Sequence, residues 1–573
     1  MITKAICRLA VATVLTAGIW ACQDNAWDDH YTAGAQGSKS LMQLIDERPE
    51  LSRFAQVVRE NKMDEVLSSS QTFTVFAPDN NAMAAFDLQQ ENALEQFLYN
   101  HICRHTYTIG DVLDSEEGTM RVMMLNGKYQ DLDCTDGNLM FAGHMNVSSV
   151  EGCSNGVLNT IDGVSPFYRN LYEEIKAGNR TTKVSEYLRT MDQYTFLPER
   201  STVIGVNDKG ETLYDSVFNY RNDWMTRYGD IYKEDSVYTM LVPSDEAWNK
   251  QYEKVKSYYR TVGEGTADVS KIKVSGKFAV GDEQSDSLTD AHTKQAILQD
   301  LVFRKKIDVE HPDGDSIVST SANVFHAPQY LFAGAEKRDV SNGLMFVADE
   351  LKFDPTESWH NEIRVEAENS SNYLTQYCGS TSSRSVENFP QFARQVSENR
   401  FLYVTPPSLS FQKNTVRFGL PNTLSGTYNI YVVTLPASAV DTTNVNDESK
   451  MRSTKLNFYL AYVHEDGTLK EDAAIKTPSD YAGAQTPTPI DPAKPEFITN
   501  AKEVDKMLVA RNFKFPYANY TASPFASDME DLLTTAYLRV ECVVTSAADL
   551  AKYEKYMRID CIILEPVNES ENE

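Results

Sequence analysis

Long apolar stretches are missing from this chain after its first residues. No run beyond Cys22 approaches the roughly 20 apolar residues that a membrane-spanning helix needs. Positive charge is also scarce, since 54 Lys and Arg stand against 82 Asp and Glu in 573 residues, giving a net charge of −28. Such a charge repels nucleic acid and anionic surfaces. We therefore expect a soluble, multidomain body that does not bind nucleic acid.

Catalytic and metal-binding signatures are missing as well. The sequence has no G-x-S-x-G elbow, no Rossmann fingerprint and no Walker loop. Its eight cysteines form no CxxC unit, which argues against a zinc site and a dense disulfide scaffold. Cys542 and Cys561 lie in apolar strand patterns and are expected to be buried free thiols. We expect a protein that is not an enzyme and that holds no metal and no cofactor.

A motif that occurs twice is the strongest positive signal. Thr72–Met83 reads TFTVFAPDNNAM and Tyr238–Asn249 reads YTMLVPSDEAWN, each an alternating apolar strand that runs into a proline. A second pair of motifs follows, because Asn155 and Asn342 each begin an Asn-Gly turn before an apolar strand. Repetition at matching places predicts a duplicated domain.

The residues around the first proline have a local structural meaning. Pro78 suits the first turn of a helix, and either Asp79 or Asn80 can cap its exposed amides. The second copy has Pro243 in the same place. We therefore expect a helix after the strand in each copy.

These motifs resemble those of the fasciclin family. In the first copy the resemblance rests on Phe76, Pro78, Asp79, Ala82, Phe86, Asn155, Gly156, Ile161, Asp162 and Val164. In the second copy it rests on Pro243, Ser244, Asp245, Ala247 and Trp248. The resemblance implies two α+β fasciclin-like domains in series, which we call the first module (residues 38–167) and the second module (residues 168–355).

The second module is longer than the first. Pro78 and Gly156 are 78 positions apart, whereas Pro243 and Gly343 are 100 apart, and the added residues fall mainly between residues 263 and 290. The resemblance also implies a family histidine, which is matched by His101 in the first copy and by Arg304 in the second.

Two other patterns are candidate metal sites. His101 and His105 are four apart on a stretch with helical character, which predicts that both share one helix face. No HExxH order accompanies them, so we expect a hydrogen-bonded structural histidine at His101. The run His311–Asp315, HPDGD, fits either a calcium loop or an ordinary turn, and we favour the turn.

The first residues predict export and lipid anchoring. Residues 1–21 have the shape of a secretory signal peptide, and Cys22 ends a segment that resembles a bacterial lipobox, which implies lipidation of Cys22. Residues 22–37 form an acidic linker that resembles the surface-export tag of Bacteroidetes lipoproteins. The resemblance implies a protein at the cell surface, held to the outer membrane by a lipid anchor.

Beyond the second module the pattern becomes all-β. Period-2 runs separated by Pro, Gly and Asn predict a jelly-roll-like β-sandwich over residues 356–573, which we call the sandwich. The segments IRVEAEN (residues 363–369), GTYNIYV (426–432) and RIDCIILEP (558–566) resemble the opening, central and closing strands of galactose-binding-like carbohydrate-binding modules. Sugars stack on aromatic rings, so the candidate ligand-binding residues are Trp359, Tyr373, Tyr377 and Tyr517. Tyr520 is a further tyrosine that this domain offers.

The predicted function follows from these resemblances. We expect a non-catalytic surface lipoprotein of the outer membrane that binds a polysaccharide or docks on a transporter complex for glycan uptake. The alternative is a structural or cell-adhesion protein in which the fasciclin modules act as spacers or contact a matrix.

Overall fold

The computed structural model describes residues 37–567 apart from residues 88–91, 116–117, 136–137, 201, 207–211, 216, 313, 442, 448, 482–485, 492, 494–495 and 527–533. The predicted signal peptide, lipidated Cys22 and nearly all of the acidic linker lie outside the described residues. Among the helices that are described, none combines the length and apolar character needed to cross a membrane.

The chain divides into two compact units. The first runs to Glu174 and adds Ile231–Val237 and Asp339–Gly343. The second holds the remainder, so that most of the second module and the whole sandwich share one unit.

The first module is built on a seven-stranded sheet of order β2-β1-β7-β6-β5-β4-β3. Its strands are β1 (Phe73–Pro78), β2 (Ile102–Arg104), β3 (Thr119–Met123), β4 (Tyr129–Thr135), β5 (Asn138–Phe141), β6 (Met145–Cys153) and β7 (Gly156–Ile161). Its α-helices are Leu41–Asp46, Ser52–Glu60, Asp64–Leu67, Tyr99–His101 and Ile109–Leu113, with a π-helix at Leu94–Leu98. Apolar clusters cover both faces of β1, one around Val75 and the other around Phe76.

The second module repeats the centre of this sheet. Its strands are β8 (Asp192–Phe196), β9 (Thr202–Val206), β10 (Thr212–Asp215), β11 (Phe218–Asn222), β12 (Tyr238–Pro243), β13 (Gly265–Asp268), β14 (Ser275–Phe278), β15 (Val302–Arg304), β16 (Ser316–Val318), β17 (Val324–His326), β18 (Glu336–Val340) and β19 (Gly343–Ala348). Its helices are Leu171–Ala177, Thr182–Arg189, Asp223–Tyr228, Asp245–Lys256, Glu283–Leu298 and Pro328–Leu331. The order β15-β12-β19-β18 repeats β2-β1-β7-β6, which matches the predicted duplication.

The helix predicted after the first proline does not form. Asp79 Oδ1 caps the chain by accepting a hydrogen bond from Ala82 N at 2.7 Å, but residues 80–85 make turns only. Asn80 and Asn81 are weak helix formers, which explains the interruption.

The corresponding helix of the second module does form, over Asp245–Lys256. Ser244 Oγ takes the capping role and accepts from Ala247 N at 3.3 Å. Asp245 and Glu246 stand in the first turn, where negative charge is favourable.

The prediction that His101 and His105 share a helix face is wrong. The helix ends at His101, because Ile102 begins β2 and pairs with β1, and His105 has a φ of 76°. His101 is a buried structural histidine, with Nδ1 2.9 Å from Phe97 O and Nε2 accepting from Ser165 N at 3.0 Å.

The predicted equivalence of His101 and Arg304 is also wrong. Arg304 lies opposite Tyr238 in the β12–β15 pair, as Arg104 lies opposite Phe73 in the β1–β2 pair. Arg304 therefore corresponds to Arg104. This equivalence follows from the strand register, which residue spacing does not reveal.

The sandwich consists of two sheets. Its strands are β20 (Ile363–Glu366), β21 (Tyr373–Gln376), β22 (Thr381–Ser385), β23 (Arg400–Val404), β24 (Thr415–Gly419), β25 (Thr427–Thr434), β26 (Lys455–Val463), β27 (Thr468–Glu471), β28 (Ser479–Asp480), β29 (Thr488–Pro489), β30 (Phe497–Ile498), β31 (Asp505–Lys514), β32 (Ala536–Cys542) and β33 (Met557–Pro566). Its described residues also form an α-helix at Ala547–Lys552 and short 3-10 helices at Ser397–Asn399 and Ala437–Ala439. One sheet has the order β13-β14-β27-β26-β32-β24-β21 with β30 on β26. The other has the order β22-β23-β33-β25-β31-β28-β29 with β20 on β33. Aromatic rings pack between the two sheets. For example, the ring centroids of Tyr462 and Phe513 are 5.2 Å apart.

Two strands of the second module belong to a sandwich sheet. The hairpin β13–β14 joins it through β27, with Gly276 opposite Leu469. Phe278 of the hairpin is buried in a cluster with Val463, Leu469 and Tyr537. Much of the length that the second module has gained therefore forms part of the sandwich.

The described cysteines are all free thiols. Cys542 and Cys561 are buried, as predicted.

Candidate functional site

A cavity of 690 Å³ lies within the second unit, where the second module meets the start of the sandwich. We call it the junction cavity. Six aromatic rings line it, those of Tyr259, His292, Trp359, His360, Tyr428 and Tyr520. Six side-chain amides line it too, those of Gln295, Gln299, Asn323, Asn361, Asn422 and Asn519. Its volume falls in the range of roughly 300–1,000 Å³ that is usual for small-molecule sites.

One helix supplies part of this wall. His292, Gln295 and Gln299 are three and four residues apart on Glu283–Leu298 and its C-terminal cap, so their side chains share one face. Asp282 caps the start of the helix by accepting a backbone N–H of the first turn at 2.9 Å. The helix thus presents a ring and two amides to the same space.

Three of the rings pack on one another. The ring of Tyr520 lies 4.6 Å from that of His292 and 5.7 Å from that of Tyr259. Burial lowers the pKa of His292 to about 4, so the imidazole is neutral at pH 7. Its Nε2 carries the proton, because that atom lies 2.8 Å from the carbonyl oxygen of Ala522. This wall is therefore aromatic and uncharged.

A second ring group surrounds Trp359. Its indole ring lies 4.9 Å from Tyr258 and 5.8 Å from His360, and His360 lies 5.3 Å from Tyr428. Trp359 is only 6% exposed, so it shows the cavity a small part of its surface.

A buried carboxylate holds the chain next to Trp359. Asp300 Oδ2 accepts hydrogen bonds from Ser358 Oγ at 2.6 Å and from Gln299 Nε2 at 3.3 Å. Asp300 follows the helix that forms the amide wall, so this contact links that wall to the segment that carries the indole.

Asn361, one of the lining residues, has a side-chain oxygen without a hydrogen-bond partner among the described residues. Its Nδ2 donates to Asn323 Oδ1 at 2.7 Å, whereas its own Oδ1 is buried without a hydrogen-bond partner among the described residues. A buried acceptor left unsatisfied costs about 1–3 kcal/mol. A ligand hydroxyl at this position would satisfy it.

The predicted ligand-binding residues do not converge. Trp359 lines the junction cavity, but Tyr373, Tyr377 and Tyr517 do not. Tyr373 is half-buried with its ring 6.2 Å from Phe418, and Tyr517 is buried. Tyr377 is 51% exposed. Their part in binding stays a prediction.

Sequence reasoning missed most of the cavity. His292 and Gln295 lie in the helix that follows the added hairpin of the second module, just beyond residues 263–290, and the sequence predicted no site there. Their helical spacing was the available signal. No sequence signal marks Asn361, because nothing in its neighbourhood along the chain distinguishes it from a loop asparagine.

One side-chain group among the described residues has the geometry of a cation site. Glu366, Asp560 and Cys561 each place a ligand atom within 4.8 Å of the others. Burial, reinforced by the charges of Glu366 and Glu368, raises the pKa of Asp560 to about 7. Glu366 Oε2 and both carboxylate oxygens of Glu368 are buried without hydrogen-bond partners among the described residues. We call this the carboxylate cluster.

The two sites considered from sequence are weaker. His101 is fully engaged in hydrogen bonds within its own module. In the HPDGD run, His311 N donates to Asp308 Oδ1 at 3.1 Å in a turn, and residue 313 lies outside the described residues.

Part of the first module matches a known family. Residues 49–164 match the fasciclin domain, and no curated protein matches the chain. Among solved structures, the FAS1 domain pair of the insect cell adhesion molecule fasciclin I is similar over 54% of this chain and 99% of its own, at 12% identity and a TM-score of 0.21. A xylan-binding domain of CBM22 is similar over 35% and 92%, at 14% identity and a TM-score of 0.19. A Paenibacillus xanthan lyase is similar over 43% of this chain and 20% of its own, at 10% identity and a TM-score of 0.20.

Proposed function

We propose that this chain is a non-catalytic glycan-binding protein and that the junction cavity holds part of the glycan. The observation that carries the proposal is the combination of six aromatic rings and six amides around one cavity of 690 Å³. Five of the rings are at most 6% exposed, so Tyr520, which is half-buried, offers the main face for stacking. Pyranose rings present apolar C–H faces that stack on aromatic side chains, while their hydroxyl groups bond to amides. The unsatisfied Oδ1 of Asn361 is suited to accept such a hydroxyl.

The charge of the chain favours a neutral glycan. A net charge of −28 repels acidic polysaccharides over long range. The charged side chains that line the cavity, Arg227, Glu362 and Arg364, include both signs and are exposed. Neutral polysaccharides meet no such penalty.

Surface display and a transporter partner complete the proposal. Lipidation of Cys22 would anchor the chain to the outer membrane, since acyl chains provide membrane affinity by burying CH₂ groups. A bound polysaccharide would then be held at the cell surface, where docking on an uptake transporter would pass it on. This part rests on the N-terminal sequence.

An adhesive function is the second candidate, and one surface favours it. The strands β8 and β11 form a two-stranded ribbon with paired rings, Phe196 opposite Phe218 and Tyr194 opposite Tyr220. The ring centroids are 5.7 and 5.2 Å apart, and Tyr194 and Phe218 are exposed. Exposed aromatic patches often mark protein contacts.

The test compares two tyrosines in the mature chain. Tyr520→Ala removes a ring from the junction cavity, whereas Tyr377→Ala removes an exposed ring outside it. We expect Tyr520→Ala to weaken binding of a neutral polysaccharide about tenfold or more, through lost stacking and burial, and Tyr377→Ala to leave it unchanged. Affinity gel electrophoresis and calorimetry with plant, host and microbial polysaccharides measure this.

The same panel distinguishes the alternative. Failure of every polysaccharide to bind, together with loss of cell attachment in Tyr194→Ser, would replace glycan binding by adhesion.

A further inference from the structure

A second cavity, of 510 Å³, lies in the same unit. We call it the ring-floored cavity. Tyr187 and Trp248 line it, are only 8% and 4% exposed, and have ring centroids 5.7 Å apart. Tyr252 and Phe525 add two further rings. Tyr252 and Phe525 are the more accessible of these four rings, so they offer the flat apolar surfaces on which a ligand can stack.

Tyr187 gives this apolar floor one unused polar atom. Its hydroxyl oxygen is buried without a hydrogen-bond partner among the described residues. Burial raises the pKa of Tyr187, so the hydroxyl keeps its proton and can donate it in a hydrogen bond. A buried hydroxyl left without a partner is costly, and a ligand oxygen would relieve that cost.

The charges around the ring-floored cavity compensate one another. Asp290 accepts a hydrogen bond from Tyr252 Oη at 2.8 Å and one from Lys294 Nζ at 2.7 Å. Lys183 Nζ lies 3.4 Å from a carboxylate oxygen of Glu186. With two charged residues of each sign, the lining favours a neutral polar ligand over an ion.

The two cavities are neighbours. Ser523 and Pro524 line both of them. Arg227 Nη1 donates to Pro524 O at 2.7 Å, and its guanidinium group lies 4.9 Å from the ring of Phe525. His292 Nε2 donates a hydrogen bond to the carbonyl oxygen of Ala522, the residue before Ser523. The segment between the cavities is thus fastened to the second module by two side chains.

We infer that the ring-floored cavity is a second subsite for the same neutral glycan, whose chain passes over Ser523 and Pro524 from the junction cavity. This inference rests on the proposed function. A short oligosaccharide fills only one cavity, whereas a longer one reaches both. The inference therefore sets a minimum length for a ligand that occupies both cavities. Affinity should therefore rise with chain length.

The experiment removes one oxygen atom. Calorimetry of the full mature chain would use di- and hexasaccharides of the cello, xylo and manno series, which are neutral. Tyr187→Phe is expected to weaken hexasaccharide binding about tenfold, as for the loss of one hydrogen bond, and to leave disaccharide binding unchanged. Its melting temperature should not fall, because the deleted hydroxyl has no hydrogen-bond partner among the described residues. Tyr377→Phe is the matched control.

The outcomes separate the two claims. If oligosaccharides bind and Tyr520→Ala weakens them, but Tyr187→Phe has no effect at any length, the second subsite is wrong and the proposed function stands. An equal effect of Tyr187→Phe on di- and hexasaccharides would also overturn the two-subsite inference. Absence of binding to every oligosaccharide and polysaccharide would overturn both claims.

Discussion

Asn155 and Asn342 make the same set of hydrogen bonds in the two modules. Asn155 Oδ1 accepts from the backbone N of Leu41 at 2.8 Å, and Asn342 Oδ1 accepts from Leu171 N at 2.9 Å. Each Nδ2 donates to two backbone carbonyls, which are those of Leu67 and Ser69 for the first and of Ile231 and Lys233 for the second. Each buried amide thereby joins the start of the module's last strand to two segments distant in sequence.

Removing one of these amides should destabilise the fold strongly. Asn342→Ala leaves one buried N–H and two buried carbonyls without their partner, and each unsatisfied group costs about 1–3 kcal/mol. We expect a loss of about 3 kcal/mol in the free energy of unfolding, measured by chemical denaturation. Asn81→Ala, at an exposed asparagine, is the control. A loss below that of the control would contradict a stabilising role for this amide.

Local patterns predicted the strands well and the long-range contacts poorly. Lys455–Val463, KLNFYLAYV, is one of the period-2 runs of the sandwich, and it forms a single strand because burial of one face depends on neighbours two residues apart. Strand register is different, since it depends on pairing between distant segments, and the assignment of Arg304 failed for that reason.

Such local patterns do not predict the junction cavity. Its residues His292, Trp359 and Tyr520 come from separate parts of the chain. They meet because the second module and the sandwich pack within one unit and share a sheet, which no local pattern in residues 263–290 indicates. Trp359 and Tyr520 were named from their residue type alone.

Acid should weaken the first unit through His101. Burial lowers the pKa of His101 to about 4, from the unperturbed value near 6.5. Between these two pH values the unfolded chain binds a proton that the folded protein excludes, so stability is complete above pH 6.5 and falls as the pH is lowered to 4. The loss should approach about 3 kcal/mol.

A paired measurement isolates this histidine from the carboxylates that also titrate. Hydrogen exchange of peptides spanning residues 94–104, at pH 7 and pH 4.5, would be compared for the wild type and His101→Gln. The wild type should lose more protection between the two pH values than the variant. Equal losses would show that His101 does not cause the acid sensitivity.

The hairpin β13–β14 should stabilise the sandwich. Phe278 is buried against Leu469 and Val463, so Phe278→Ala should cost about 3–5 kcal/mol. Its expected results are a lower melting temperature and faster proteolytic cleavage of the hairpin in the full chain. Phe411→Ala, at an exposed phenylalanine, should change neither. A variant that melts like the wild type would mean that the sandwich sheet does not depend on this hairpin.

Calcium should stabilise the sandwich through the carboxylate cluster. When Glu366, Glu368 and Asp560 are all ionised, their charges repel one another in a site that solvent reaches poorly. Ca²⁺ prefers carboxylate oxygens and would use those without hydrogen-bond partners. A cation that binds only the folded state stabilises it by about 2.7 kcal/mol at 100 times its Kd.

Thermal melting at pH 8 measures this effect. Millimolar CaCl₂ should raise the melting temperature relative to EDTA, and MgCl₂ should do so less, since Mg²⁺ demands a stricter octahedral geometry. Glu368→Gln should reduce the calcium response, because it removes a charge whose two oxygens have no protein partner in the described structure. Ser383→Ala, at an exposed residue outside the cluster, should keep the response. Identical melting in CaCl₂ and EDTA would mean that protons, and not a divalent cation, neutralise this cluster.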